Sequence, residues 1–280
     1  MHFGDRLIQA VEATGSPALV GLDPFLDRIP AEFEAAHAKE ATRAERAAAV
    51  GDFLCDVIAV VAGKAPAVKP QSAFFEALGA DGIAQWERVV AEAKDAGLIV
   101  IGDVKRGDIG STAAAYAQAF LSGVPGTDPR TLCDAVTLNP FLGSDSIQPF
   151  LGVAEGTGAY VLVRTSNPSG KEFQSLGEPN LAEQVADAVH GWGAGDLGEG
   201  GLSSLGAVVG ATHPTELRTL RERMPHTPLL LPGYGAQGAS AADVVGAFTQ
   251  TSGGLASALV NSSRGPVSYT HLTLPTIYPV

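Results

Sequence analysis

The chain has 280 residues, 45% hydrophobic and only 6% aromatic, which is long enough for one large core built from Ala, Val, Leu and Ile. Its formal charge of -12 argues against a nucleic-acid-binding surface or an anionic membrane as the main partner, although a small anion needs only a local cluster of cations and backbone N–H groups. Cys55 and Cys133 stand far apart without metal-ligand spacing, which argues against a disulfide framework and a zinc site. Asp5 and Arg6 interrupt the N-terminal segment, and no stretch reaches the roughly 18 uninterrupted apolar residues of a membrane span, so a cytoplasmic protein is expected.

In chain order, short apolar runs at residues 18–22, 67–68, 98–101, 135–138, 159–163, 207–209, 229–231 and 255–260 read as strands. The segments between them mostly read as helices, for example 43–62, 84–96 and 181–192. This alternation is the pattern of parallel βαβ units, and the simplest architecture is a single-domain α/β fold, a closed (β/α)8 TIM barrel. Chemistry in such barrels gathers where strands end. The runs end in Asp23, Lys69, Asp103 with Lys105, Asn139, residues 164–167, Thr212 with His213, the loop 233–238, and residues 261–264.

The joins 24–42, 122–131, 169–180 and 193–204 are longer than a minimal barrel needs. The glycine-rich 193–204 join reads either as a mobile loop at the mouth or as a plain surface insertion. Where an eighth helix is due, VSYTHLTLPTIYPV has no Asp, Glu, Lys or Arg and no helical period, and Pro275 and Pro279 would break a helix. Residues 1–265 are therefore expected to form the barrel. Residues 266–280 read as an atypical, non-native tail that replaces the eighth helix.

The richest stretch is IVIGDVKRGDIGST, residues 99–112. On a strand, residues i and i+2 face one side, so Asp103 and Lys105 are expected to point together into the mouth, with Asp108 on the following turn. Lys69 is expected beside Asp103 across the sheet. Lys69, Asp103, Lys105 and Asp108 would then alternate in sign, giving each charge opposite neighbours and keeping Lys105 protonated. Taken alone, such a cluster reads as a structural ion pair; at a barrel strand end it reads as chemistry. A fixed ammonium there can stabilise a developing carbanion and then protonate it.

The pattern Asp103-x-Lys105-x-x-Asp108-Ile109-Gly110-x-Thr112, with Lys69-Pro70 upstream, resembles the signature of orotidine 5'-phosphate decarboxylases, most of all their longer bacterial subgroup. The likeness continues in family order through Gly21-Leu22-Asp23, Asn139-Pro140-Phe141-Leu142-Gly143, Arg164-Thr165-Ser166-Asn167-Pro168, Pro232-Gly233-Tyr234-Gly235-Ala236-Gln237-Gly238 and Asn261-Ser262-Ser263-Arg264-Gly265. It spans roughly residues 1–265. The resemblance implies decarboxylation of orotidine 5'-monophosphate to UMP, the last step of de novo pyrimidine nucleotide synthesis, without metal or cofactor. It implies that Lys105 stands beside pyrimidine C6 as stabiliser and proton donor, Asp103 faces the departing carboxylate, and Lys69 bridges Asp103 and the ribose. Asp23 is implied as a ribose ligand, Ser166 as a pyrimidine ligand, and Gln237 with Arg264 as the phosphate grip. Asp108, Ile109 and Thr112 match a segment that crosses into a partner's site, which implies a homodimer.

Parts of the sequence also fit other readings. Residues 233–238 fit GxGxxG, but a dinucleotide site wants an acid about 20 positions on, where the next strand ends in Asn261-Ser262. A metal-dependent sugar-phosphate decarboxylase or epimerase of the same superfamily shares the DxKxxD pattern, but Lys69 stands where a carboxylate is expected there. A Schiff-base aldolase would need a neutral lysine, which two flanking carboxylates oppose. A catalytically silent nucleotide-binding barrel, or an enzyme damaged through its C-terminal tail, is the alternative from another class. His213 reads first as part of a helix start, Trp86 and Trp192 as packing residues, and Arg106 as either a dimer-interface residue or a surface ion pair.

Overall fold

The structure, a computed structural model, describes residues 1–211, 214–233, 240–249 and 253–263. Thr212, His213, Gln237, Arg264 and the 266–280 tail lie outside the described residues. Eight parallel strands close into the expected barrel: β1 (Ala18–Leu22), β2 (Ala67–Pro70), β3 (Ile99–Arg106), β4 (Ala135–Leu138), β5 (Gly158–Arg164), β6 (Leu205–Val209), β7 (Leu229–Leu231) and β8 (Ala258–Ser262). Closure is made by β8 against β1, with Ala18 opposite Val260. β1, β4 and β7 have the expected bounds, β2, β5 and β6 differ by one or two residues at an end, and β3 and β8 differ most. β3 runs on through its charged residues to Arg106, and β8 starts only at Ala258 because Gly254–Ser257 forms a 3-10 turn.

Strand alternation separates two cores. Leu19, Ile101, Tyr160, Leu230 and Leu259 fill the barrel interior, while Val20, Val68, Val100, Val136, Val161 and Val260 face outward under the helices. The Arg43–Val61 helix starts with a capping box: Thr42 Oγ1 accepts the Glu45 N–H, and Glu45 Oε2 accepts the Thr42 N–H at 2.8 Å. Trp86 is buried edge-on against Phe75 and Phe120, so it is a packing residue. Trp192 also packs against the outer core. Among the described residues no helix is long and apolar enough to cross a membrane.

The floor of the barrel is closed by the Phe3–Thr14 helix. Phe3, Leu7 and Val11 recur every four residues, so they form one apolar stripe, and all three are buried in the interior core. Phe3 meets Tyr160 edge-on with ring centroids 6.2 Å apart. Residues 193–204 lie at this same end rather than at the mouth, because they join the Leu181–Gly193 helix to β6, and helix-to-strand joins run along the barrel floor. Asp5 accepts the N–H groups of Glu199 at 3.1 Å and Gly200 at 2.9 Å, while Leu202 is buried against the plug. The glycine-rich join is thus a strap across the floor, not a lid.

Candidate active site

Above the apolar interior the inward-facing positions turn polar. A cavity of about 220 Å³ opens at the C-terminal end of the strands, lined by Asp23, Lys69, Gln71, Asp103, Lys105, Thr137, Asn261 and Ser263, with Leu162, Val208 and Pro232 as its apolar wall. Asp103 is its centre. Its Oδ2 accepts from Lys69 Nζ at 2.7 Å and Gln71 Nε2 at 2.9 Å, and its Oδ1 accepts from Lys105 Nζ at 2.6 Å and Thr137 Oγ1 at 2.8 Å. Four donors on two oxygens fix the orientation of the carboxylate.

Burial by itself would raise the Asp103 carboxyl pKa, but Lys69 and Lys105 outweigh it, through charge first and hydrogen bonding second. The net effect holds the carboxyl well below the usual carboxylate range. Lys69 is only 5% exposed. Its burial pulls the ammonium pKa down, yet Asp103 and then Asp23 pull harder, so the balance is upward and the charge is kept. Within one chain, therefore, the charges that alternate are Asp23, Lys69, Asp103 and Lys105. Asp108 does not join them: its Oδ1 accepts the N–H of Ile109 at 2.8 Å. Ile109 and Thr112 are exposed and do not line the cavity.

Lys105 is the one described non-glycine residue with a positive φ, at 43°. Such a conformation costs about 1–3 kcal/mol and persists only where the surroundings impose it. Here the β3–β4 register shifts between Gly102 and Arg106, and the Lys105 N–H is taken by Thr137 Oγ1 at 3.0 Å. The bulge turns a half-exposed ammonium back onto Asp103 and leaves it facing the cavity.

Asp23 Oδ1 and Asn261 Oδ1 are buried, line the cavity, and have no hydrogen-bond partner among the described residues. Gly21 explains the placement of the second: a Cβ there would overlap Ser263 Oγ, which holds Asn261 Nδ2 at 3.2 Å. Two unmet acceptors suit a ligand that brings hydroxyl donors. Ser166 is half-buried and stands outside the cavity lining. It packs beside Gly210, where an added Cβ would lie 3.1 Å from its backbone. Its neighbour Thr165 is clasped by Gln174, which accepts the Thr165 N–H at 2.9 Å and donates to Thr165 Oγ1 at 2.8 Å.

Two arginines take other places than the mouth. Arg164 is buried and donates to Glu216 at 2.6 Å and Gln174 at 3.0 Å, so this strand-end charge is a structural tie between loop and helix. Arg106 pairs with Glu76 at 2.5 Å and lies over the Tyr116 and Phe120 rings, which makes it an ion pair within the chain. Sequence reasoning missed Gln71 and Thr137. The available signal was parity, since Gln71 follows Lys69 by two positions and Thr137 follows the inward-facing Ala135 by two. Among the described residues no group of three or more His, Cys, Asp or Glu side chains gathers as a metal site.

Comparison with known proteins agrees with this geometry. Residues 25–265 match the Orotidine 5'-phosphate decarboxylase / HUMPS family. The chain is 45% identical over 269 residues to an orotidine 5'-phosphate decarboxylase of Rhodopirellula baltica, covering 94% of this chain and 87% of that protein. It is 49% identical over 216 residues to one of Deinococcus radiodurans, covering 75% of this chain and 76% of the relative. The solved OMP decarboxylase of Leishmania donovani superposes with a TM-score of 0.75 at 33% identity, over 96% of this chain and 92% of that one. With a closed barrel, a charged cavity at its mouth and relatives alike over most of their length, the chain belongs to the orotidine 5'-phosphate decarboxylase / HUMPS family and is a decarboxylase, a lyase.

Proposed function

We propose that the chain decarboxylates orotidine 5'-monophosphate to UMP and CO2, with Lys105 as carbanion stabiliser and proton donor. The observation that carries this reading is the Lys105 ammonium, held at 2.6 Å on a buried carboxylate while still facing the cavity. In the proposed step the C6–carboxylate bond breaks, CO2 departs, and the electron pair remains on C6 beside the Lys105 charge. Lys105 then gives its proton to C6 and is reprotonated from solvent. Because Asp103 and Lys105 are already fixed, little reorganisation accompanies charge development. Lys69 at position 69, bonded to Asp103, supports this reading over the metal-dependent sugar-phosphate alternative, which expects a carboxylate there.

Asp23, with its unmet buried oxygen, is assigned to a ribose hydroxyl. Ser166 is assigned to the pyrimidine edge, and Gln237 with Arg264 to the phosphate, a bidentate partner for an arginine. Asp108, Ile109 and Thr112 are assigned to the mouth of a second copy in a homodimer; their place outside this chain's own cavity supports that assignment. The product would complete pyrimidine nucleotide synthesis in the cytoplasm.

Absorbance-monitored conversion of orotidine 5'-monophosphate to UMP, in excess EDTA, tests the reading. Turnover is expected. A folded protein that leaves this substrate untouched in EDTA, and acts on a sugar phosphate when a divalent metal is returned, would establish the alternative.

A further inference from the structure

Two features of the mouth converge on Thr137, a residue 1% exposed on β4. Its Oγ1 donates to Asp103 Oδ1 at 2.8 Å and accepts the backbone N–H of Lys105 at 3.0 Å. The direction of both bonds is dictated, because an ionised carboxylate only accepts and a peptide N–H only donates. The hydroxyl proton therefore lies toward Asp103. The N–H on its other side belongs to the residue with φ of 43°, in the interval where the β3–β4 register shifts. One hydroxyl thus joins the strained backbone of Lys105 to the carboxylate that its own ammonium holds.

We propose that Thr137 is a positioning residue, whose hydroxyl ties the left-handed backbone of Lys105 to Asp103 and so fixes where the Lys105 ammonium stands. The kinetic consequence rests on the decarboxylase reading above; the geometric one does not. Valine has the shape of threonine but neither bond, so it strands the Lys105 N–H and one Asp103 lone pair in a buried place. Serine keeps both. The charged groups that face Asp103 are Lys69 from β2 and Lys105 from β3, with Asp23, the residue after β1, acting on Lys69. Gln71 and Thr137 add only neutral donors. Removing one of those donors loosens the hold on the carboxylate, but both ammonium groups remain and keep it ionised.

The experiment compares wild type, Thr137→Val and Thr137→Ser in the full-length protein, by steady-state kinetics and by crystallography. Thr137→Val is expected to lower kcat by roughly 10- to 100-fold while KM stays within about threefold. Its Lys105 φ should turn negative. Thr137→Ser should restore rate and φ. Wild-type kcat in Thr137→Val, a retained positive φ there, or a serine variant as impaired as the valine one would overturn the proposal. If wild type does not decarboxylate orotidine 5'-monophosphate, the functional reading falls, and the φ of Lys105 in the two variants still decides on the tie. Should Thr137→Val not fold, Thr137→Ala removes the same two bonds and takes its place.

Discussion

Asp103 illustrates how a costly arrangement becomes stable. Placing a carboxylate and an ammonium out of water is unfavourable for each alone, and their attraction offsets that cost only with good geometry and satisfied lone pairs. Asp103 meets both conditions through Lys69, Gln71, Lys105 and Thr137. Asp103→Asn is therefore expected to lose about 3–5 kcal/mol of stability, because Lys69 stays buried without its nearest counter-charge. The pH dependence has a definite sign. The folded carboxyl is depressed, so its stabilising contribution is present above the unfolded value of about 3.9 and is lost as pH falls below it. Lys69 is shifted the other way, so its contribution is present below about 10.4 and is lost as pH rises through the folded value. Denaturant titrations of wild type and Asp103→Asn should show a gap that is widest near neutrality and narrows in acid. A gap independent of pH between about 3 and 7 would mean that charge pairing is not its source.

At the scale of elements, the Phe3–Thr14 helix matters more than its position at one end of the chain suggests. Its stripe replaces solvent across the barrel floor, and Phe3 is 1% exposed against Tyr160. Phe3→Ala should cost about 3–5 kcal/mol, read as a lowered denaturation midpoint. A loss under about 1 kcal/mol would mean that the plug is dispensable. This helix lies before the first expected strand, and the apolar spacing of Phe3, Leu7 and Val11 was present in the sequence without saying what it would cover. Strands such as β1, β4 and β7 were legible to the residue, since their apolar runs end in turn formers or charges. The extension of β3 was not, because its bulge depends on Thr137 of the neighbouring strand rather than on local pattern. Long-range ties were equally hidden. Arg6 reaches Asp134 at 2.7 Å across 128 positions, and Arg164 finds Glu216 across 52, so neither pairing leaves a local trace. Lys69 and Asp103 were legible because strand parity and pairing bring them together, and Lys105 because it lies two positions on, although the bulge completes its turn onto Asp103. Gln71 and Thr137 escaped because a neutral polar side chain signals its role only through the partner it meets.

At the scale of the whole molecule, the loops that follow β3 and β4 present large apolar side chains to solvent: Ile109 is 53% exposed, Phe141 88% and Leu142 48%. Exposed apolar groups around a functional mouth suit an interface, and two-fold dimers place the same patch on both subunits. If Asp108 serves the partner's site, each site in a dimer draws Lys105 from one chain and Asp108 from the other. Lys105→Ala alone should then lower turnover by more than about 1000-fold, and Asp108→Asn should also impair it severely. When the two variants are co-refolded, half of the dimers are mixed, and in each of these one site carries both lesions while the other carries neither. About a quarter of all sites would be intact, so about a quarter of wild-type activity should return from two nearly inactive proteins. If Asp108 instead acts within its own chain, every site in every dimer keeps a lesion. Activity then stays at the level of the parents, and the segment from Asp108 to Thr112 would need another role.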